Sequence, residues 1–198
     1  MRIGVFGGTF DPPHIGHLIL ASEALDQLKL DHLLWMVTAM PPHKVNGDIT
    51  PLEQRLALTH TALNGFTQFE LSTLEIDRPG PHYAVDTIRL VKDQYPDAEI
   101  FYLMGGDSLR DLPTWHESDQ FVALCDGLGV MRRPGGEAIL QNLKAVFPAI
   151  LDKIHWFETP LVDISSHDIR MRIQNGRPYR FFLPESVYRM IEEKRYYR

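Results

Sequence analysis

Apolar positions along this chain fall into two alternating patterns, short continuous runs and longer stretches with a helical stripe. Ile3, Val5 and Phe6 form a first apolar run that stops at Gly7 and Gly8. Leu18, Ile19, Ala21, Leu25 and Leu28 then recur on one helical face, in a stretch opened by His14, Gly16 and His17. His32 to Thr38 reads as a buried strand, followed by a loop from Ala39 through Lys44 to Asp48. Thr50-Pro51-Leu52-Glu53 has capping-box spacing with proline at the first helical position, and predicts a helix to about Asn64-Gly65. Phe69 to Ile76 alternates as a strand, and Asp77 to Pro81 is a break. Tyr83 to Gln94 predicts a helix, and Glu99 to Met104 a strand ending at Gly105-Gly106-Asp107. Gly127 to Met131 and Lys153 to Phe157 complete the strands. Ser165 and Ser166 offer N-caps for a helix ending near Asn175-Gly176, and a last helix runs from about Pro184 to Arg195.

This alternation predicts an α/β fold, a Rossmann-like, doubly wound parallel sheet with helices on both faces. In such sheets ligands bind beyond the C-terminal strand ends. The unusual residues gather there: Gly7 to His17 after the first strand, Lys44 after the second, Asp107 after the fourth, Arg133 after the fifth. No repeat, linker or low-complexity segment divides the 198 residues. One domain is expected over 1–198, with C-terminal helices from about residue 165.

Composition narrows the class. Apolar residues at 44% and charged residues at 23% are ordinary for a globular protein. The one cysteine, Cys125, sits among apolar neighbours and has no internal partner, which fits a buried thiol in the reducing cytoplasm. The start does not read as a signal peptide, and no apolar run approaches the ~18 residues of a membrane span. A net charge of −6 argues against nucleic acid as partner, while a small anion needs only local cations such as Lys44, Arg132, Arg133 or Arg170.

Three places carry candidate chemistry. The turn from Gly7 to His17 joins a strand to a helix start, where glycines admit a ligand to the backbone and free N–H groups favour an anion. Here His14 and His17 are candidate phosphate donors; ordinary surface histidines and metal ligation are the alternatives, though no third or fourth zinc ligand is evident. The loop is neither a Walker motif nor GxGxxG. Ile164-Ser-Ser-His-Asp-Ile-Arg170 is a second anion cradle, or simply a pair of helix caps. At the third place Gly105 allows backbone approach and Asp107 is a candidate ribose acceptor. Trp115 is either a stacking platform for a flat heterocycle or a packing aromatic.

Gly7-Gly-Thr-Phe-Asp-Pro-Pro-His-Ile-Gly-His17 resembles the GGTFDPxHxGH signature of the nucleotidyltransferases with an HxGH motif, and residues 164–170 resemble their ISSTxIR motif. Pro41-Pro-His-Lys44, His82-Tyr83, Gly106-Asp-Ser-Leu109, Thr114-Trp115, Arg132-Arg-Pro-Gly135 and Tyr197-Arg198 are similar to the bacterial nicotinate-nucleotide adenylyltransferases in particular. The resemblance implies adenylyl transfer from ATP to nicotinate mononucleotide, giving nicotinate adenine dinucleotide and pyrophosphate, with magnesium required. It implies that Gly7, Gly8, Thr9, Phe10, His14, His17, Lys44, Gly105, Asp107, Arg133, Ile164, Ser165, Ser166 and Arg170 contact ATP. His14, His17 and Arg170 are then the catalytic set. Thr9, Lys44, Tyr83, Ala84, Asp107, Trp115 and His116 form the nicotinate mononucleotide site. There Trp115 stacks on the ring, and N–H groups near Tyr83, Ala84 and His116 hold its carboxylate. No protein metal ligand is implied. His167 stands where the family usually has threonine, and His116 where it often has tyrosine. The resemblance leaves the oligomeric state open.

Overall fold

The computed structural model describes residues 1–39, 49–132 and 137–198. Six strands, β1 (Arg2–Gly8), β2 (His32–Val37), β3 (Phe69–Ser72), β4 (Glu99–Met104), β5 (Gly127–Met131) and β6 (Ile154–Phe157), form one sheet. Their order is β3-β2-β1-β4-β5-β6 and every pairing is parallel. The expected Rossmann-like α/β architecture is therefore what the chain adopts. The order reverses between β1 and β4, so a crevice opens beyond their C-terminal ends.

The apolar runs are continuous because both faces of the sheet are buried. Ile3, Val5, Leu34, Met36 and Ile100 point into one core. Phe6, Leu33, Trp35, Val37, Phe101 and Leu103 point into the other. Helices α1 (Ile15–Gln27) and α3 (Ala84–Gln94) supply Ala21 and Ala24 to the second core, and Val85, Ile88 and Val91 to the first. A third cluster joins α2 (Leu52–Leu63) to α8 (Ser166–Gln174) and α9 (Glu185–Lys194) through Leu58, Ala62, Ile169, Ile173, Val187 and Ile191. Between β4 and α8 lie α4 (Gly106–Asp111), α5 (Ser118–Leu124), α6 (Glu137–Val146) and α7 (Ile150–Lys153).

Some local expectations change. The Thr50 capping box does not form: Pro51 is the N-cap of α2. Thr50 is occupied elsewhere, its N–H on Asp11 Oδ2 and its carbonyl accepting from Arg55 Nε. β3 stops at Ser72, because Thr73 turns the chain, its carbonyl accepting from the N–H groups of Ile76 and Asp77. The glycines expected to end β4 instead cap and open α4, and Lys153 ends α7 rather than starting β6. The loop expected from Ala39 to Asp48 lies, from residue 40 onward, outside the described residues.

Candidate active site

β1 delivers the chain to the crevice, and residues 9–13 turn it into α1. His14 is the N-cap of α1, and its N–H donates to His17 Nδ1 at 3.2 Å. The two imidazoles stack with centroids 3.7 Å apart. Burial pushes His14 down to about 4 and, with the neighbouring His14, holds His17 well below its ordinary value. Both rings are therefore neutral near pH 7. Because His17 Nδ1 accepts, the hydrogen-bond pattern assigns its proton to Nε2. Phe10 takes a left-handed φ of 46°, and its ring packs against Phe6, His17 and Trp35. A Cβ on Gly8 would fall 2.7 Å from that ring, which fixes glycine there.

The second anion motif is tied to the first. Ser166 Oγ donates to the Pro12 carbonyl at 2.8 Å, and Arg170 Nη1 donates to the Asp11 carbonyl at 2.7 Å. Ser165 is the N-cap of α8: its Oγ accepts from the Asp168 N–H and donates to Asp168 Oδ2. Both serine hydroxyls thus hold protein atoms, and α8 offers an anion its remaining first-turn N–H groups instead. Thr9, Phe10, His14, His17, Ile164, Ser165, Ser166 and Arg170 line one cleft of about 600 Å³, together with Asp11 and His167.

Of the remaining expected residues, Tyr83 and His116 meet beside α3, while Gly105 and Asp107 lie at the end of β4. Tyr83 is the N-cap of α3, ahead of Ala84, and its ring stacks on His116 at 4.0 Å. Trp115 is half-buried and packs edge-on against Tyr102 and tilted against Phe121. Gly105 caps α4, and Asp107 is exposed with Arg110 Nη2 on its Oδ1. Gly7 and Gly8 end β1: a Cβ on Gly7 would lie 3.1 Å from Tyr102 Oη. Lys44 and Arg133 lie outside the described residues.

Comparison with known proteins places this geometry. Residues 5–172 match the model of the family described as cytidylyltransferase-like. A probable nicotinate-nucleotide adenylyltransferase of Thermomicrobium roseum is 44% identical over 197 residues, covering 100% of this chain and 92% of that protein. One of Bacillus licheniformis is 37% identical, covering 99% and 98%. The chain belongs to the cytidylyltransferase-like family, among the nicotinate-nucleotide adenylyltransferases. Its fold is shared with the Plasmodium falciparum nicotinic acid mononucleotide adenylyltransferase complexed with NaAD. That structure superposes with a TM-score of 0.76 at 18% identity, over 99% of this chain and 97% of that one.

In this cytidylyltransferase-like chain two buried ionisable residues, Arg55 and Glu75, escape the sequence reading, and Asp11 of the first turn proves buried as well. Arg55, 1% exposed, donates to the carbonyls of Thr9, Thr38, Ala39 and Thr50 and so fixes the loops after β1 and β2. Asp11, 3% exposed, has Oδ1 buried without a partner and Oδ2 3.8 Å from Arg170. Glu75 is buried beneath α3. Arg55 carried a signal: it shares the inward stripe of α2 with Leu58, Thr59 and Ala62, where a charge is out of place.

Proposed function

We propose that this chain transfers the adenylyl group of ATP to nicotinate mononucleotide, giving nicotinate adenine dinucleotide and pyrophosphate in NAD biosynthesis. The observation that carries the reading is the joining of two anion-holding helix starts, α1 and α8, at one cleft through Ser166–Pro12 and Arg170–Asp11. Two helix starts facing one cleft suit a ligand that carries several phosphates. The relatives, named for this activity, match along the whole chain.

The nucleophile is a phosphate oxygen of the mononucleotide, already an anion, so no side chain needs to remove a proton. It attacks the α-phosphorus in line. A phosphorus–oxygen bond forms as the α–β bridging bond breaks, and that electron pair leaves on pyrophosphate. The protein contributes position and charge stabilisation. His17, its proton on Nε2, donates to the reacting phosphate. Arg170 spends Nη1 on the loop and presents its remaining N–H groups to the leaving phosphates. Trp115 and the first-turn N–H groups of α3 receive the pyridine ring and its carboxylate, and Lys44, Asp107 and Arg133 complete the site.

Magnesium fits as an ion carried in on the triphosphate. Among the described residues no three His, Cys, Asp or Glu group as a metal cage. Asp11, with its unpartnered Oδ1, is the residue that would hold the ion, and magnesium commonly uses one or two carboxylates, phosphates and its own waters. When bound it neutralises charge on the leaving phosphates. Among the described residues no helix is long and apolar enough to cross a membrane, and the buried free thiol of Cys125 supports a cytoplasmic setting.

Pyrophosphate release from ATP, with nicotinate mononucleotide, nicotinamide mononucleotide or 4′-phosphopantetheine as acceptor, tests this. The expected result is release with the acid at least about tenfold faster than with the amide, since charge-assisted bonds are about twice as strong as neutral ones. Equal use of acid and amide would refute the acid assignment. Release only with phosphopantetheine would refute the whole reading.

A further inference from the structure

Arg89, on the second turn of α3, takes no part in the transfer chemistry, yet it joins the two elements that carry Tyr83 and His116. Its Nη1 donates to Asp86 Oδ1 at 2.8 Å, one turn back on the same helix. Its Nη2 crosses to the start of α5 and donates to Glu117 Oε2 at 2.6 Å and to Gln120 Oε1. An exposed ion pair contributes little by itself, and several charges tied into one network are the exception.

Glu117 is the residue on which this clamp acts. It takes a left-handed φ of 48°, a conformation that a glutamate keeps only where its surroundings hold it. Its carbonyl accepts from the Phe121 N–H at 2.9 Å and so starts α5. His116, the residue before it, stacks on Tyr83, and His116 Nε2 lies 3.8 Å from Glu117 Oε1. Asp86 is tied to the same stack, its N–H donating to the Tyr83 carbonyl at 3.1 Å. Two carboxylates thus stand beside the Tyr83–His116 stack, and Arg89 binds both. Arg78, a second cation there, lies 3.8 Å from Asp86 Oδ2 and gives its Nη groups to the carbonyls of Pro81 and Tyr83.

We propose that Arg89 is a positioning, specificity-determining residue for the acid substrate: it holds the turn that presents His116 to Tyr83, and it neutralises the two carboxylates that would repel an anionic group there. This rests on the reading that the carboxylate of the mononucleotide is received beside Tyr83, Ala84 and His116. Without Arg89 the acid meets two like charges as it binds, whereas the amide has no anionic group on its ring for them to oppose. Glu117 is then the source of much of the repulsion, so removing its charge restores the acid to a protein that lacks Arg89.

KM and kcat for nicotinate mononucleotide, nicotinamide mononucleotide and ATP test the proposal in wild type, Arg89→Met, Arg89→Lys and the double variant Arg89→Met with Glu117→Gln. In Arg89→Met the KM for the acid is expected to rise at least about fivefold, with the amide and ATP within about twofold and kcat little changed. The double variant should recover at least about half of that rise on a logarithmic scale, which a merely structural tie would not allow. Arg89→Lys keeps the charge and loses the fork, so it should show a smaller rise confined to the acid, and it decides the question if Arg89→Met does not fold. An unchanged KM for the acid, an equal rise for all three substrates, or no recovery in the double variant would each overturn the proposal. Trp115→Ala separates the two claims: a raised KM for the mononucleotide keeps the pocket reading even when Arg89 fails. An unchanged KM overturns the pocket reading and, with it, the role given to Arg89.

Discussion

Acid should loosen the empty enzyme through His14, and the size of the effect follows from its burial. The imidazole is 6% exposed and pushed down to about 4, against about 6.5 in an unfolded chain. Its folded-state value is depressed, so the unfolded chain binds more protons between those two values. Stability from this group is complete above about pH 6.5 and is lost as pH falls toward 4. Between pH 7 and pH 5 the loss from His14 alone is about 2 kcal/mol. For a domain of this size that is a Tm change of about 4–8 °C. The perturbation is His14→Gln, which cannot take a proton. Thermal or urea unfolding of ATP-free wild type and variant, at pH 7, 6 and 5, gives the comparison. Carboxylates titrate in both proteins, so the informative quantity is the pH dependence of their difference. The variant should lose about 2 kcal/mol less than wild type over this range, and more if relief of the stacked His17 adds to it. Parallel loss in the two proteins would refute the burial argument, whatever their stabilities at pH 7.

Three further outcomes are expected. His17→Ala should lower kcat by about 10²–10³ with little change in ATP affinity, because its Nε2 proton serves the transition state; single-turnover and ATP-binding measurements together check this, and near-normal turnover contradicts it. Arg170→Lys keeps the charge but loses the planar fork that holds the Asp11 carbonyl and, on the proposed function, the phosphates, so kcat/KM for ATP should fall at least about tenfold. An unchanged value would leave Arg170 a structural tie only. Arg55→Met strands four carbonyls, each costing about 1–3 kcal/mol if buried and unpaired, so urea unfolding should show a loss of at least about 3 kcal/mol. A loss below about 1 kcal/mol would mean that water replaces the guanidinium.

Much of the fold was legible because β1, β2, β4 and β5 are apolar runs bounded by glycine, proline or charge, and a sheet covered on both faces demands such runs. β3 was overextended because Thr73 to Ile76 keeps the alternation of a strand, while a local turn, with Thr73 Oγ1 on Asp77 Oδ2, outcompetes the sheet. Helices α4, α5 and α7 are too short to show a helical period. The glycine-to-histidine turn announced one wall of the cleft, as strand, turn and helix start are all local. What stayed hidden is nonlocal. Nothing near Ser166 indicates that its hydroxyl reaches Pro12, and nothing near Glu75 indicates that Thr87 lies above it. Buried Arg55 and Glu75 were passed over for a related reason: a charge is ordinarily a surface residue, and only packing shows otherwise.

The bond from Arg170 to Asp11 spans 159 positions in the chain, and that span orders events during synthesis. At about 5–20 residues per second the loop leaves the ribosome roughly 8–30 s before the arginine that shapes it. Through that interval the nascent sheet has strands to pair and helices to pack, but only one side of the cleft that α8 completes. On the proposed function, a growing chain therefore lacks the α8 side of its nucleotide cleft until nearly all of it has been made. A ligand that needs both sides of the cleft stabilises only chains that have already docked α8 against the first loop.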